Sequence, residues 1–281
     1  MSNLNPELHA VIAQNVATAL AEDLGSGDLT AQLIADTPGR ARVVCRSSAI
    51  LCGVFWFEAC FTQLSKHISI TWKVAEGAAI SPGQTLCELQ GNSGTILSAE
   101  RTALNFLQTL SATATQTRAY VEAIRGLPTV IMDTRKTLPG LRLAQKYAVR
   151  IGGGQNQRVG LYDGVLIKEN HIAAAGGIAK ILALARRTYH STIPIQIEVE
   201  TLDELTEALD NDATLILLDN FSLDDLIAAV RLGEKRALLE ASGGVNLKTV
   251  RAIAATGVDR ISIGRLTKDV SAVDLSLLLD A

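Results

Sequence analysis

The 281-residue chain has few aromatic residues (4%), only 4 cysteines and no excess of either charge: 26 Lys and Arg stand against 29 Asp and Glu, a formal net charge of −3. That mildly acidic balance argues against a general nucleic-acid binder, which carries a basic surplus. It says nothing about how the charges are distributed. Long apolar runs are missing as well. The longest stretch without a charge, Thr102–Thr117, is 16 residues with five threonines, two glutamines and an asparagine, whereas a membrane-spanning helix needs about 20 mainly apolar residues. Met1–Ala10 has no basic segment followed by an apolar one, so no secretory signal is expected. Cys45, Cys52, Cys60 and Cys87 lack Cys-x-x-Cys spacing and read as reduced, packed thiols. No Gly-x-Gly-x-x-Gly follows a strand, which removes the dinucleotide-binding signature. The expectation is a soluble, cytoplasmic, globular protein without membrane or nucleic-acid partners, since 48% hydrophobic residues suffice for a core.

The first hundred residues differ in texture from the rest. Apolar residues at helical spacing predict a helix over 6–22, ended by Gly25, Gly27 and Asp28. Strand-like runs follow at Ala41–Arg46, Ile68–Val74 and Thr85–Leu89, and a long helix is predicted from about Ser98 to Arg125. Beyond Pro128, short apolar strands alternate with helices: Thr129–Asp133, Val165–Lys168, Ile195–Glu200, Leu215–Asp219, Ala237–Glu240 and Arg260–Gly264. Thr201 with Glu204, Ser222 and Asn246 mark helix starts. This rhythm predicts an α/β fold in which a parallel sheet of six to seven β/α units closes as an incomplete barrel beside an N-terminal α+β domain. The division is set at residues 1–110 and 111–266, with the tail 267–281 available to pack back on the first domain.

Nearly every predicted strand of the second part ends in polar residues or glycine, where β/α barrels hold their active sites. Arg135, Lys136 and Lys168 end two strands, Arg158 follows a glycine-rich turn at Gly152–Gly154, and Arg101 opens the long helix. Arginine forks and lysine ammonium groups converging on one mouth suit a small polyanion. Glu198 and Asp219 end neighbouring strands, placed to hold Mg²⁺, to accept sugar hydroxyls or to offset a developing cation; Glu200 alternates to the other face. Ser242-Gly243-Gly244 and Ile263-Gly264-Arg265 sit between a strand and the next helix, where backbone N–H groups cradle phosphate. Residues alone therefore suggest an enzyme binding a phosphorylated sugar, Mg²⁺ and an anionic co-substrate.

At Glu100–Asn105, DTRKTLPGLR (Asp133–Arg142), KYAV (Lys146–Val149), GGGQNQR (Gly152–Arg158) and LIKENHI (Leu166–Ile172), the chain resembles quinolinate phosphoribosyltransferase. EDLGSGDLT (Glu22–Thr30), LLDNF, SGG and GVDRISIGRLTK extend the likeness over nearly the whole chain. The resemblance implies an N-terminal sandwich domain with an incomplete barrel, and a homodimer with active sites at the subunit interface. It implies that quinolinate and 5-phosphoribosyl-1-pyrophosphate give nicotinate mononucleotide, pyrophosphate and CO₂, with Mg²⁺ and no organic cofactor, in NAD biosynthesis. By matching position, Thr134, Arg135, Lys136, Gln157, Arg158 and Lys168 would bind quinolinate, joined by Arg101 from the partner. Glu198 and Asp219 would face ribose and Mg²⁺, Ser242, Gly243, Gly244, Ile263, Gly264 and Arg265 would hold the phosphate, and Lys136, Glu198 and Asp219 would form the catalytic set.

Two positions depart from the family pattern. Gln157 stands where the family usually has histidine, so a neutral donor replaces a potential cation; Arg265 stands where a small residue is common. His171 is expected to orient its neighbours within LIKENHI, while His9, His67 and His190 have no partner pattern. A paralogue acting on nicotinate without decarboxylation is the nearest alternative, and the retained cations favour a dicarboxylate.

Overall fold

The computed structural model describes residues 6–33, 37–189 and 191–280; His190 lies outside them. Contacts divide the chain into two compact units, one drawn from Met1–Arg118, Thr137–Gly153 and Leu266–Ala281, the other from Ala119–Lys136 and Gly154–Arg265.

The first unit contains β1 (Pro38–Cys45), β2 (Ala49–Ile50), β3 (Ser69–Trp72), β4 (Ala79–Ile80) and β5 (Thr85–Asn92). An antiparallel sheet runs in the order C-terminal strand Leu275–Leu279, β1, β5, β3, while β2 and β4 form a separate pair. The C-terminal strand sets Leu279 opposite Ala41 and Leu275 opposite Cys45. The helix Pro6–Leu24 buries Ile12, Val16 and Leu20, one side chain per turn, as its periodicity predicts.

Two helices of this unit, Val54–Leu64 and Arg142–Gly152, are absent from the sequence reading. The first is apolar nearly all round, with Trp56, Phe57, Cys60 and Phe61 buried, so it lacks the amphipathic period. It also lacks a local cap. Glu76 serves instead: its carboxylate accepts from the backbone N–H of Gly53 (2.9 Å) and Val54 (3.2 Å) and from the Tyr147 hydroxyl (3.0 Å). Burial pushes the Glu76 carboxyl above its ordinary value, against the pull of those donors. The long helix spans Ser93–Ala123 and so begins a turn earlier than expected, because Asn92 Oδ1 accepts from Thr95 N at 2.8 Å and caps it.

The second unit holds β6 (Val130–Met132), β7 (Val165–Ile167), β8 (Ile195–Val199), β9 (Leu215–Asp219), β10 (Leu238–Ser242) and β11 (Arg260–Ser262). They form one parallel sheet in the order β6, β11, β10, β9, β8, β7. Met132 makes a further parallel bridge to Gln155. Thr201 and Ser222 cap their helices by accepting from Glu204 N and Asp225 N. Asn246 does not cap: the helix starts at Val250, and Asn246 Oδ1 instead accepts from Lys248 N in the preceding turn. No helix among the described residues is long and apolar enough to cross a membrane.

Candidate active site

Alternate residues of a strand share a face. On the face carrying Glu198, the C-terminal ends of the strands bring up Leu166, Gln196, Leu217, Glu240, Ser242 and Ser262, and a cavity of about 270 Å³ opens there. The segment after β6 adds Thr134, Arg135 and Lys136; the segment after the Gln155 bridge adds Gln157 and Arg158; Lys168 follows β7. Eight of the residues singled out in the sequence thus line one cavity.

Its charge is unevenly placed. The Lys168 ammonium lies 2.9 and 2.8 Å from the two oxygens of Glu198, the lysine half-exposed and the carboxylate 9% exposed. His171 accepts from the Lys168 backbone N–H through Nδ1 at 3.0 Å, steadying the start of the helix that follows. The Arg158 guanidinium is held below its ordinary value first by burial and then by the neighbouring charge of Arg135, with Asp163 acting in the opposite sense. Two guanidinium groups that repel one another in a cavity mark a place where an anion is favourable.

Asp133, fully buried, fixes this arrangement. It accepts from Gln157 N (2.8 Å) and Asn156 Nδ2 (2.7 Å), tying the end of β6 to the turn that carries Gln157 and Arg158. Gln157 turns its amide nitrogen to Glu240, 2.5 Å from each oxygen, and to Gln196 Oε1 at 3.2 Å. Gln196 in turn donates to Glu240 at 3.1 Å. Glu240, 1% exposed, therefore receives hydrogen bonds from two neutral amides.

The other candidates, Arg101, Asp219, Gly243, Gly244, Ile263, Gly264 and Arg265, are not among the residues lining this cavity. Asp219, at the end of β9, pairs in register with Ser242 and accepts from Asn220 Nδ2 at 2.8 Å. Gly243 has φ 104°, and a Cβ there would lie 2.1 Å from Asn220 Oδ1, so only glycine fits. A Cβ on Gly264 would stand 2.9 Å from Lys136 Cδ, so its absence lets the lysine stem pass close to the backbone. Ile263 is buried and its N–H donates to Met132 O, while Arg265 is exposed. Gly244 is exposed with φ 56°. Arg101 belongs to the first unit, its side chain 60% exposed and 4.0 Å from Glu100. His9 and His67 are exposed.

Asp133, Gln196, Glu240 and Ser262 are the site residues that sequence reading missed. The signal was present: Gln196 precedes Glu198 by two, Glu240 precedes Ser242 by two, and Ser262 precedes Gly264 by two, which is the strand period. No group of three metal-ligating side chains is assembled among the described residues. Glu198 and Asp219 on adjacent strands are nonetheless a donor set that suits Mg²⁺, which commonly takes one or two carboxylates and completes its shell with water and substrate phosphates.

Two family models match the chain, the quinolinate phosphoribosyl transferase N-terminal domain over residues 28–111 and its C-terminal domain over residues 113–278. A probable nicotinate-nucleotide pyrophosphorylase (carboxylating) of Bacillus subtilis is 40% identical over 257 residues, covering 91% of this chain and 89% of the relative. The nicotinate-nucleotide pyrophosphorylase (carboxylating) of Mycobacterium leprae is 40% identical over 273 residues, covering 93% and 95%. The solved structure of the Francisella tularensis nicotinate-nucleotide pyrophosphorylase superposes with a TM-score of 0.95 at 45% identity, covering 99% of this chain and 98% of that one. The chain belongs to the quinolinate phosphoribosyltransferase family.

Proposed function

We propose that this cavity transfers the phosphoribosyl group of 5-phosphoribosyl-1-pyrophosphate to quinolinate with loss of CO₂, yielding nicotinate mononucleotide in NAD biosynthesis. The observation that carries the reading is the pair Arg135 and Arg158, set together with Lys136, Lys168 and Glu198 around one cavity. Quinolinate brings two carboxylates to these cations, and arginine forks bind carboxylates in bidentate fashion. Lys168 then stands between the substrate and Glu198, and its ion pair restrains both side chains. The Glu198 carboxylate opposes the positive charge that grows on the ribose C1 as the pyrophosphate departs. The pyridine nitrogen attacks that carbon as the bond to pyrophosphate breaks, and the adjacent carboxylate then leaves as CO₂, its bonding pair remaining on ring C2 beside the cationic nitrogen until that carbon takes a proton from water. No nucleophilic side chain is needed. Glu198 and Asp219 would hold Mg²⁺ carried in by the pyrophosphate, where the ion supplies neutralisation of the leaving group. The turns Ser242–Gly244 and Ile263–Arg265 would take the 5-phosphate.

The finer architecture belongs to the same reading. The Gln155 segment lies beside β6 at one edge of the sheet, yet Gln157 reaches side chains of β8 and β10 on the other side of β11. Those bonds support a sheet curled into an incomplete barrel, with neighbouring strands about 4.8 Å apart. We further take the enzyme to be a cytoplasmic homodimer whose exposed Arg101 completes the partner's site. The test incubates the protein with Mg²⁺, 5-phosphoribosyl-1-pyrophosphate and either quinolinate or nicotinate, measuring CO₂ and mononucleotide. Product from quinolinate is expected; its absence would overturn the reading.

A further inference from the structure

Ser262 closes β11 with its side chain in the cavity, and the residue is only 5% exposed. Its Oγ has no hydrogen-bond partner among the described residues, although it is buried from solvent. A buried hydroxyl left unpaired is unfavourable, and native proteins rarely keep one without a use. The register explains where this one points. Glu240 pairs with Arg260 and Ala241 with Ile261, so the next step sets Ser242 beside Ser262, and Asp219 beside Ser242. A carboxylate and two hydroxyls therefore form one row across β9, β10 and β11, and the two hydroxyl residues line the cavity with Arg135 and Lys136.

We propose that Ser262 is a substrate-binding residue whose hydroxyl donates to an anionic oxygen of the ligand in this cavity, either a pyridine carboxylate or the phosphate of the ribosyl donor. This rests on the function proposed above. The hydroxyl has no partner among the described residues and gains one on binding, so its removal lowers affinity without lowering the stability of the ligand-free protein. A hydroxyl that only supports the fold would lower both when deleted.

The experiment compares wild type with Ser262→Ala and with Ser262→Cys, which is nearly isosteric but a weak donor. Calorimetric titrations use quinolinate alone and 5-phosphoribosyl-1-pyrophosphate with Mg²⁺ alone, and thermal melts use the ligand-free protein. Both variants are expected to lose about tenfold in affinity for one of the two ligands, with the other unchanged within twofold and the ligand-free Tm equal to wild type or higher. The ligand that weakens identifies the oxygen. Affinities for both ligands within twofold of wild type, or a lowered ligand-free Tm in both variants, would overturn the assignment. Wild-type turnover of quinolinate is measured alongside, so a failure of the functional reading is distinguishable from an unchanged variant.

Discussion

Replacing Gln157 by histidine changes the charge of the cavity lining while keeping a nitrogen donor on the side chain. In the present chain Glu240 is a buried carboxylate satisfied by the neutral amides of Gln157 and Gln196. Its negative charge lies in the cavity proposed to take the quinolinate dianion, an arrangement that opposes binding. An imidazole at position 157 keeps a nitrogen directed at Glu240. The carboxylate raises its pKa above the ordinary value of about 6.5 while burial lowers it, and direct contact with the opposite charge favours the imidazolium. The Gln157 amide already donates to an ionised acceptor, so histidine adds a charge on the donor side of a bond that is charge-assisted on the acceptor side. The local charge also falls from −1 to zero. We therefore expect Gln157→His to lower the KM for quinolinate about fivefold at pH 6, which corresponds to ~1 kcal/mol. The benefit is full while the imidazole in the folded protein is protonated and is lost as pH rises through its shifted value. Initial rates over pH 5.5–9 for both chains, with 5-phosphoribosyl-1-pyrophosphate saturating, test this. A KM ratio that does not change with pH, or a collapse of kcat/KM in the variant, would refute the reasoning and give Gln157 a role of its own.

Three further outcomes follow from the same geometry. Glu198→Gln should lower kcat about 100-fold, the usual order for removing a group that opposes transition-state charge, while quinolinate binding holds or tightens because Lys168 is released from its ion pair; steady-state kinetics with kcat within threefold of wild type would contradict it. Burial raises the Glu76 carboxyl, so its stabilising contribution is complete below the ordinary carboxyl value and is lost as pH rises through the shifted one; wild type should gain stability relative to Glu76→Gln between pH 7 and pH 5, and parallel urea midpoints would count against it. Burial also pushes all four thiols up, Cys60 and Cys87 to about 12. An aromatic disulfide reagent should therefore modify the native protein at least about 100-fold more slowly than the urea-unfolded chain, and a rapidly titrating native thiol would disprove that packing.

The second unit was the more legible in sequence because its signals are local. Strands such as Leu215–Asp219 are short, apolar and bounded by turns, and the caps at Thr201 and Ser222 lie within three residues of the donors they satisfy. The helix Val54–Leu64 was illegible for the opposite reason: its N–H groups are satisfied by Glu76, more than twenty residues away in sequence. Strand-end cations and acids could be read because charge after an apolar run is conspicuous. Glu240 and Gln196 carry only the strand period that sets them two residues before Ser242 and Glu198, and that spacing gains chemical meaning once Gln157 is brought across to meet them.

The pairing of the C-terminal strand with β1 also orders events in time. Arg42 and Asp280, 238 residues apart, end up 2.9 Å from each other. During synthesis at about 5–20 residues per second, β1 is made about 10–50 s before its partner exists. Throughout that interval one edge of the first sheet offers unpaired backbone groups, the configuration that recruits foreign strands. The strand Leu275–Leu279 thus acts as the seal on β1, and a deletion that removes it would leave that edge permanently open to aggregation.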